Sequence, residues 1–188
     1  MEQEPAPYVR RRLPVGWAVL LALLLLVGAA AAGWTLAARA HRQAPAGQGL
    51  TFRLASLDGR RLGPGDFPGK TLVVEFWATW CAPCRLQAAI LEEMYPRYRR
   101  EGVEFLAVNL GEEADLVRQF VADSPFSYPV LLDPRQELGQ KVGVYALPTV
   151  LVLDPRGKTV YLEPGIADEA TLRRALEQAA TASPSPAG

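Results

Sequence analysis

Thr71-Leu72-Val73-Val74-Glu75-Phe76-Trp77-Ala78-Thr79-Trp80-Cys81-Ala82-Pro83-Cys84 is the stretch that decides the fold. Its first seven residues are aliphatic, aromatic or β-branched with one charge among them, which predicts a buried strand. The residues from Ala82 to Arg100 carry helical spacing, with Pro96 as an expected kink or early stop. Cys81 therefore stands where a strand ends and a helix begins. A helix N-terminus offers free backbone N–H groups and about half a positive charge, a setting that favours a thiolate. Cys84 lies three residues on, on the same face, about 5–6 Å away between Cβ atoms in an ideal helix. A modest adjustment brings two such sulfurs to bonding distance. Pro83 suits a first turn, where a missing N–H costs nothing.

That geometry predicts disulfide exchange. Reduced Cys81 attacks a target disulfide, and Cys84 then attacks the mixed disulfide, releasing the reduced target and closing a Cys81–Cys84 bond. A static clip across two residues closes a tiny loop and gains little entropy, so a purely structural bridge is the weaker reading. A metal site needs further ligands, and the one histidine, His41, lies outside the expected domain.

Working outward, Thr51–Leu57 and Arg60–Leu62 flank Asp58-Gly59, a hairpin signal. Val103–Leu110 (VEFLAVNL) is a second buried strand, and Glu112–Ala122 has helical spacing at Leu116, Val117, Phe120 and Val121. Tyr128–Leu132 reads as a short extended piece before a short helix around Gln136–Val142. Thr149–Leu153 and Thr159–Leu162 read as strands around the turn Asp154-Pro155-Arg156-Gly157. Asp168–Ala180 closes the domain as an amphipathic helix capped by Asp168. Units alternate βαβα and then run ββα, which implies an α/β fold: a central mixed sheet with helices on both faces.

The N-terminal quarter has a different character. Leu13 to Ala38 is 26 residues without a charge. As a helix it reaches about 39 Å, against about 30 Å of hydrocarbon core. Trp17 and Trp34 lie near its ends, where indoles prefer the interface. A cleaved signal peptide has a shorter apolar region, so length favours an uncleaved anchor. Arg10, Arg11 and Arg12 precede the run while Arg39 and Arg42 follow it, a small bias for the N-terminus inside. The expected organisation is a cytoplasmic tail (1–12), a transmembrane anchor (13–38), a linker (39–49), an extracytoplasmic domain (50–180) and a disordered tail (181–188). Outside the cytoplasm, disulfide chemistry is permitted.

Composition narrows the function classes. Twenty Lys plus Arg balance twenty Asp plus Glu, so no basic excess points to nucleic acid. Aromatics at 9% and charges at 21% argue against a disordered chain. Two cysteines rule out a disulfide-dense scaffold and a Cys-only zinc site.

Three motifs together resemble the thioredoxin superfamily, and within it the membrane-anchored thiol-disulfide oxidoreductases of the ResA/TlpA/CcmG group. They are Val74 to Arg85 (VEFWATWCAPCR), Val103 to Gly111 (VEFLAVNLG), and Val144 to Thr149 (VYALPT) followed by Leu151 to Lys158 (LVLDPRGK). The likeness runs from about Thr51 to Ala180. The joint pattern is specific, whereas Cys-x-x-Cys alone is not. The resemblance implies a thioredoxin-like three-layer fold with catalytic Cys81 and Cys84 and no cofactor beyond their disulfide. It also implies that Pro148 is cis, although from sequence alone a trans bond is favoured. Leu147, Pro148 and Thr149 would then present backbone to a substrate, beside Trp80 and Pro83. Glu75 matches the buried acid of thioredoxins and is expected to titrate high and take the proton of Cys84. The group's activity implies a protein disulfide substrate, with apocytochrome c and its Cys-x-x-Cys-His haem site foremost, and a membrane thiol electron conduit as reductant.

Two positions depart from the group. Three residues after Cys84 many relatives carry Glu, where this chain has Gln87, and two residues later Ala89 replaces a frequent Pro. Gln can hydrogen-bond but does not titrate. Glu92, Glu93 and the arginines at 97, 99 and 100 read as solvated surface. Competing functions fit less well. A peroxiredoxin needs Thr three residues before its cysteine, where Ala78 stands, and a copper module needs wider Cys spacing or a domain histidine. The sequence leaves open a general extracytoplasmic reductase or oxidase.

Overall fold

The computed structural model describes residues 49–181. The expected anchor at 13–38, the tail before it and nearly all of the linker and C-terminal tail lie outside the described residues. No helix among the described residues is long and apolar enough to cross a membrane.

Seven strands form one mixed sheet. In chain order they are β1 (Leu54–Ser56), β2 (Arg61–Leu62), β3 (Thr71–Trp77), β4 (Val103–Leu110), β5 (Val130–Asp133), β6 (Thr149–Leu153) and β7 (Thr159–Pro164). The helices are α1 (Ala82–Tyr98), α2 (Ala114–Asp123), α3 (Glu137–Val142) and α4 (Glu169–Thr181). The spatial order is β2-β1-β5-β4-β3-β6-β7. β3 and β5 flank β4 in parallel, while β6 and β7 continue antiparallel from β3. This is the thioredoxin-like α/β fold.

Central position explains the apolar runs in β3 and β4, where all fifteen side chains are buried. Successive residues serve opposite faces. Val73 and Trp77 pack with Leu91, Met94, Tyr95 and Tyr98 of α1 and Leu172, Leu176 and Ala179 of α4. Leu72, Val74 and Phe76 pack on the other face with Leu138 of α3. Burying each of these large side chains stabilises the fold by about 1.5–3 kcal/mol.

The Asp58-Gly59 turn joins β1 to β2 as expected, with Gly59 at φ 86°. The paired segments are shorter than the sequence suggests, because only Leu54–Ala55 pair with Arg61–Leu62. Ser56 instead turns its hydroxyl onto Asp58 and onto the Arg60 carbonyl. α1 does not stop at Pro96 but continues to Tyr98, followed by a 3₁₀ turn at Arg99–Glu101. Pro96 is exposed, so water can satisfy the Glu92 carbonyl that lost its helical partner. Asp168 caps α4, with Oδ1 accepting from the Thr171 N–H at 2.7 Å.

Candidate active site

β3 ends at Trp77, and a short loop delivers Cys81 to the start of α1. Cys81 is the N-cap, in extended conformation at φ −82° and ψ 96°. Its Sγ accepts the Cys84 N–H at 3.2 Å, and its own N–H donates to the Ala78 carbonyl at 3.1 Å. Cys81 and Cys84 are bonded, with S–S 2.07 Å and Cα atoms 5.3 Å apart. The cap hydrogen bond shows what the position offers a thiolate: a backbone donor, shared with the Cys81 carbonyl, at the positive end of a 17-residue helix. Both cysteines are nearly covered, whereas Trp80 is 73% exposed beside them. Pro83 is exposed in the first turn.

The second wall comes from the loop before β6. Thr149 pairs with Phe76, so the antiparallel register sets Pro148 level with Trp77, at the sheet end where Cys81 emerges. The Leu147–Pro148 bond is cis. Thr149 Oγ1 donates to the Ala146 carbonyl at 2.7 Å, and the Pro148 carbonyl accepts the Gly165 N–H at 2.7 Å. Leu147 is half-buried, Pro148 and Thr149 are buried, and Tyr145 is 83% exposed beside them.

Glu75 sits in mid-strand between Ala107 of β4 and Val150 of β6 and is fully buried. Its Oε2 faces the Tyr128 hydroxyl at 3.5 Å, while Oε1 has no partner. Burial pushes its carboxyl up to about 8, the Tyr128 hydrogen bond offsets this only in part, and the charge of Glu92 adds to the rise. At neutral pH the group is therefore mostly protonated.

Behind Cys84 lies a cavity of about 220 Å³, walled by Trp77, Ala88, Phe120 and Phe126 with Arg85 and Glu92 at its edge. Glu92 is not the simple solvated residue its helical position suggested. Its Oε1 accepts the Ser127 N–H at 2.7 Å and ties α1 to the segment before β5. Gln87 is fully buried, and its Oε1 accepts the Ala167 N–H at 2.7 Å. The amide thus fixes the loop leading into α4 and does not titrate.

Sequence reading missed Glu112. Its carboxylate accepts from Thr79 N at 2.8 Å, Thr79 Oγ1 at 2.6 Å and Asn109 Nδ2 at 2.6 Å. It thereby pins the loop before Cys81 to the end of β4. The only local signal was an acid just after a glycine at a strand end, which is common in loops. Among the described residues no group of three or more His, Cys, Asp or Glu is placed to hold a metal ion. The redox chemistry available is that of the chain's own cysteine pair.

The Redoxin family model matches residues 40–178. A thiol-disulfide oxidoreductase ResA of Geobacillus thermodenitrificans is 33% identical over 163 residues, covering 85% of this chain and 94% of that protein. The ResA of Bacillus subtilis is 29% identical, covering 87% and 90%. Among solved structures, the pneumococcal exposed lipoprotein thioredoxin Etrx1 of Streptococcus pneumoniae superposes with a TM-score of 0.62 at 29% identity, covering 69% of this chain and 99% of that one. StoA of Bacillus subtilis shares the fold, with a TM-score of 0.59 at 21% identity over 68% of this chain and 96% of its own. The chain belongs to the Redoxin family, among its ResA-type thiol-disulfide oxidoreductases.

Proposed function

We propose that this chain is an extracytoplasmic disulfide reductase, held to the membrane by residues 13–38, whose substrate is the Cys-x-x-Cys-His site of an apocytochrome c. The observation that carries the reading is a cysteine pair at a helix N-terminus, preceded by a strand that buries a carboxylate, in a chain related to ResA proteins along most of its length. The Cys81 thiolate attacks one sulfur of the target. A Cys81–target bond forms, the target disulfide breaks, and the departing thiolate takes a proton from water. The ionised form of Glu75, the minority form at neutral pH, takes the Cys84 proton as Cys84 attacks Cys81 Sγ. The Cys81–Cys84 bond forms as the target leaves with two electrons. Trp80 and Pro83 on one side, and the Leu147–Thr149 backbone on the other, receive the target segment. A membrane thiol electron conduit restores the dithiol.

A Cys84→Ser variant tests the reading. It retains the attacking sulfur and loses the resolving one, so it accumulates a mixed disulfide with an oxidised Cys-x-x-Cys-His peptide. Equal trapping of unrelated peptide disulfides would instead favour a general reductase, and no trapping would defeat the assignment of Cys81 as attacking group.

A further inference from the structure

The domain carries its charge unevenly between its two ends. One end holds the disulfide; the other is where β3 begins. Thr71 there donates to the Gly102 carbonyl, and Leu72 pairs with Leu153, which pairs with Thr159. The α1–β4 and β6–β7 turns therefore share this end with Lys70. Together they bring Arg99, Arg100, Arg156 and Lys158 to one surface, all exposed or partly so. Lys70 pairs with Glu104, Arg97 with Glu101 and Arg156 with Asp154. Arg99, Arg100 and Lys158 have no carboxylate partner among the described residues. At the disulfide end the exposed charges include Glu113, Glu163 and Asp168, against Arg85. This polarity is invisible in the even total of charges.

The chain also enters at the basic end. The Leu50 N–H donates to the Gly157 carbonyl at 2.7 Å, inside the turn that carries Arg156 and Lys158. Between the apolar run and Gly49 lie the ten residues 39–48, with Arg39 and Arg42 among them. Fully extended they span at most about 36 Å. A tether this short keeps the basic end at high effective concentration near a bilayer.

We propose that this basic end is a docking surface for the anionic lipid headgroups of the membrane that holds the anchor. Charge complementarity and the attachment point of the tether select that occupant over a protein partner. The inference rests on the anchor reading above. Seven residues of β3 at about 3.3 Å each separate this end from the disulfide loop, so a docked domain holds Cys81 about 20 Å or more above the lipid, facing soluble targets.

The test uses the full chain in lipid nanodiscs, with amide hydrogen exchange as readout. Discs of phosphatidylcholine alone are compared with discs containing phosphatidylglycerol. Segments 97–102 and 154–159 should exchange at least about fivefold more slowly on the anionic discs, the effect of a single surface cation. The 79–90 segment should not change, and high salt should erase the difference. An Arg99→Gln, Arg100→Gln, Lys158→Gln triple variant should behave alike on both discs. A chain that enters both discs with equal exchange overturns the docking surface alone. A chain that enters neither removes the anchor and the docking surface with it.

Discussion

Replacing Glu75 by Gln should abolish a loss of stability that the oxidised protein suffers as pH rises towards 8. The carboxyl is fully buried between two strands, and its proton affinity rises from an ordinary value of 4.5 to about 8. The folded state therefore holds a proton that the unfolded chain releases, so stability is present in full below pH 4.5 and is lost as pH rises towards 8. With tenfold in affinity equal to about 1.4 kcal/mol, the loss between pH 5 and pH 8 comes to about 3 kcal/mol. The amide of the E75Q variant does not ionise in either state. The groups facing Glu75 do not blur the window: burial pushes the Tyr128 hydroxyl further up, and the one histidine, His41, lies outside the described residues. Denaturant unfolding of both oxidised proteins from pH 5 to pH 9 is the assay. The wild type should slope downward and the variant stay flat, with the variant the slower at resolving a mixed disulfide. A wild-type curve that is flat over this range, or a variant that keeps the slope, would refute the assignment of the buried proton to Glu75.

Other residues give sharper local tests. Glu112→Ala leaves the Thr79 N–H and the Asn109 amide without their acceptor, and should cost about 2 kcal/mol while slowing attack by Cys81; an unchanged urea midpoint would contradict the pinning role. Gln87→Leu strips the Ala167 N–H of its acceptor and should cost about 1–3 kcal/mol, measured the same way. At Gly63 a Cβ would lie 1.9 Å from the Phe52 carbonyl oxygen, so Gly63→Ala forces a backbone shift and should lower stability by about 1–3 kcal/mol. Thermal unfolding equal to wild type would show that the 49–67 segment packs less tightly than that contact requires.

Local chemistry carried much of the fold into the sequence. Both central strands were legible because their neighbours on either side leave no polar face, and nearly unbroken apolar runs of seven and eight residues have few other uses in a domain this size. The Asp-Gly hairpin, the Asp168 cap and the strand–Cys–helix junction likewise depend on residues close in sequence. Contacts that join distant segments were not legible. Glu112 reaches back 33 residues to Thr79, Glu92 reaches forward 35 to Ser127, and Gln87 reaches forward 80 to Ala167. Each sits at a position where a polar residue is ordinarily solvated, and only the folded sheet reveals what it holds. Pro96 suggested a kink or an early stop, and the helix runs on past it. Its effect is local, but exposure lets water replace the lost bond so close to the helix end. The basic pole escaped for a related reason, since its charges come from separate turns that the parallel and antiparallel strands bring together.

The central claim is that the Cys81–Cys84 couple donates electrons to a target disulfide. Its midpoint potential, measured on the full chain against glutathione or thioredoxin buffers, tests that most directly. A value near that of thioredoxin, about −270 mV, or below it is the predicted result for a reductant fed from the membrane. A value near that of a strong disulfide donor, about −120 mV, would contradict the account.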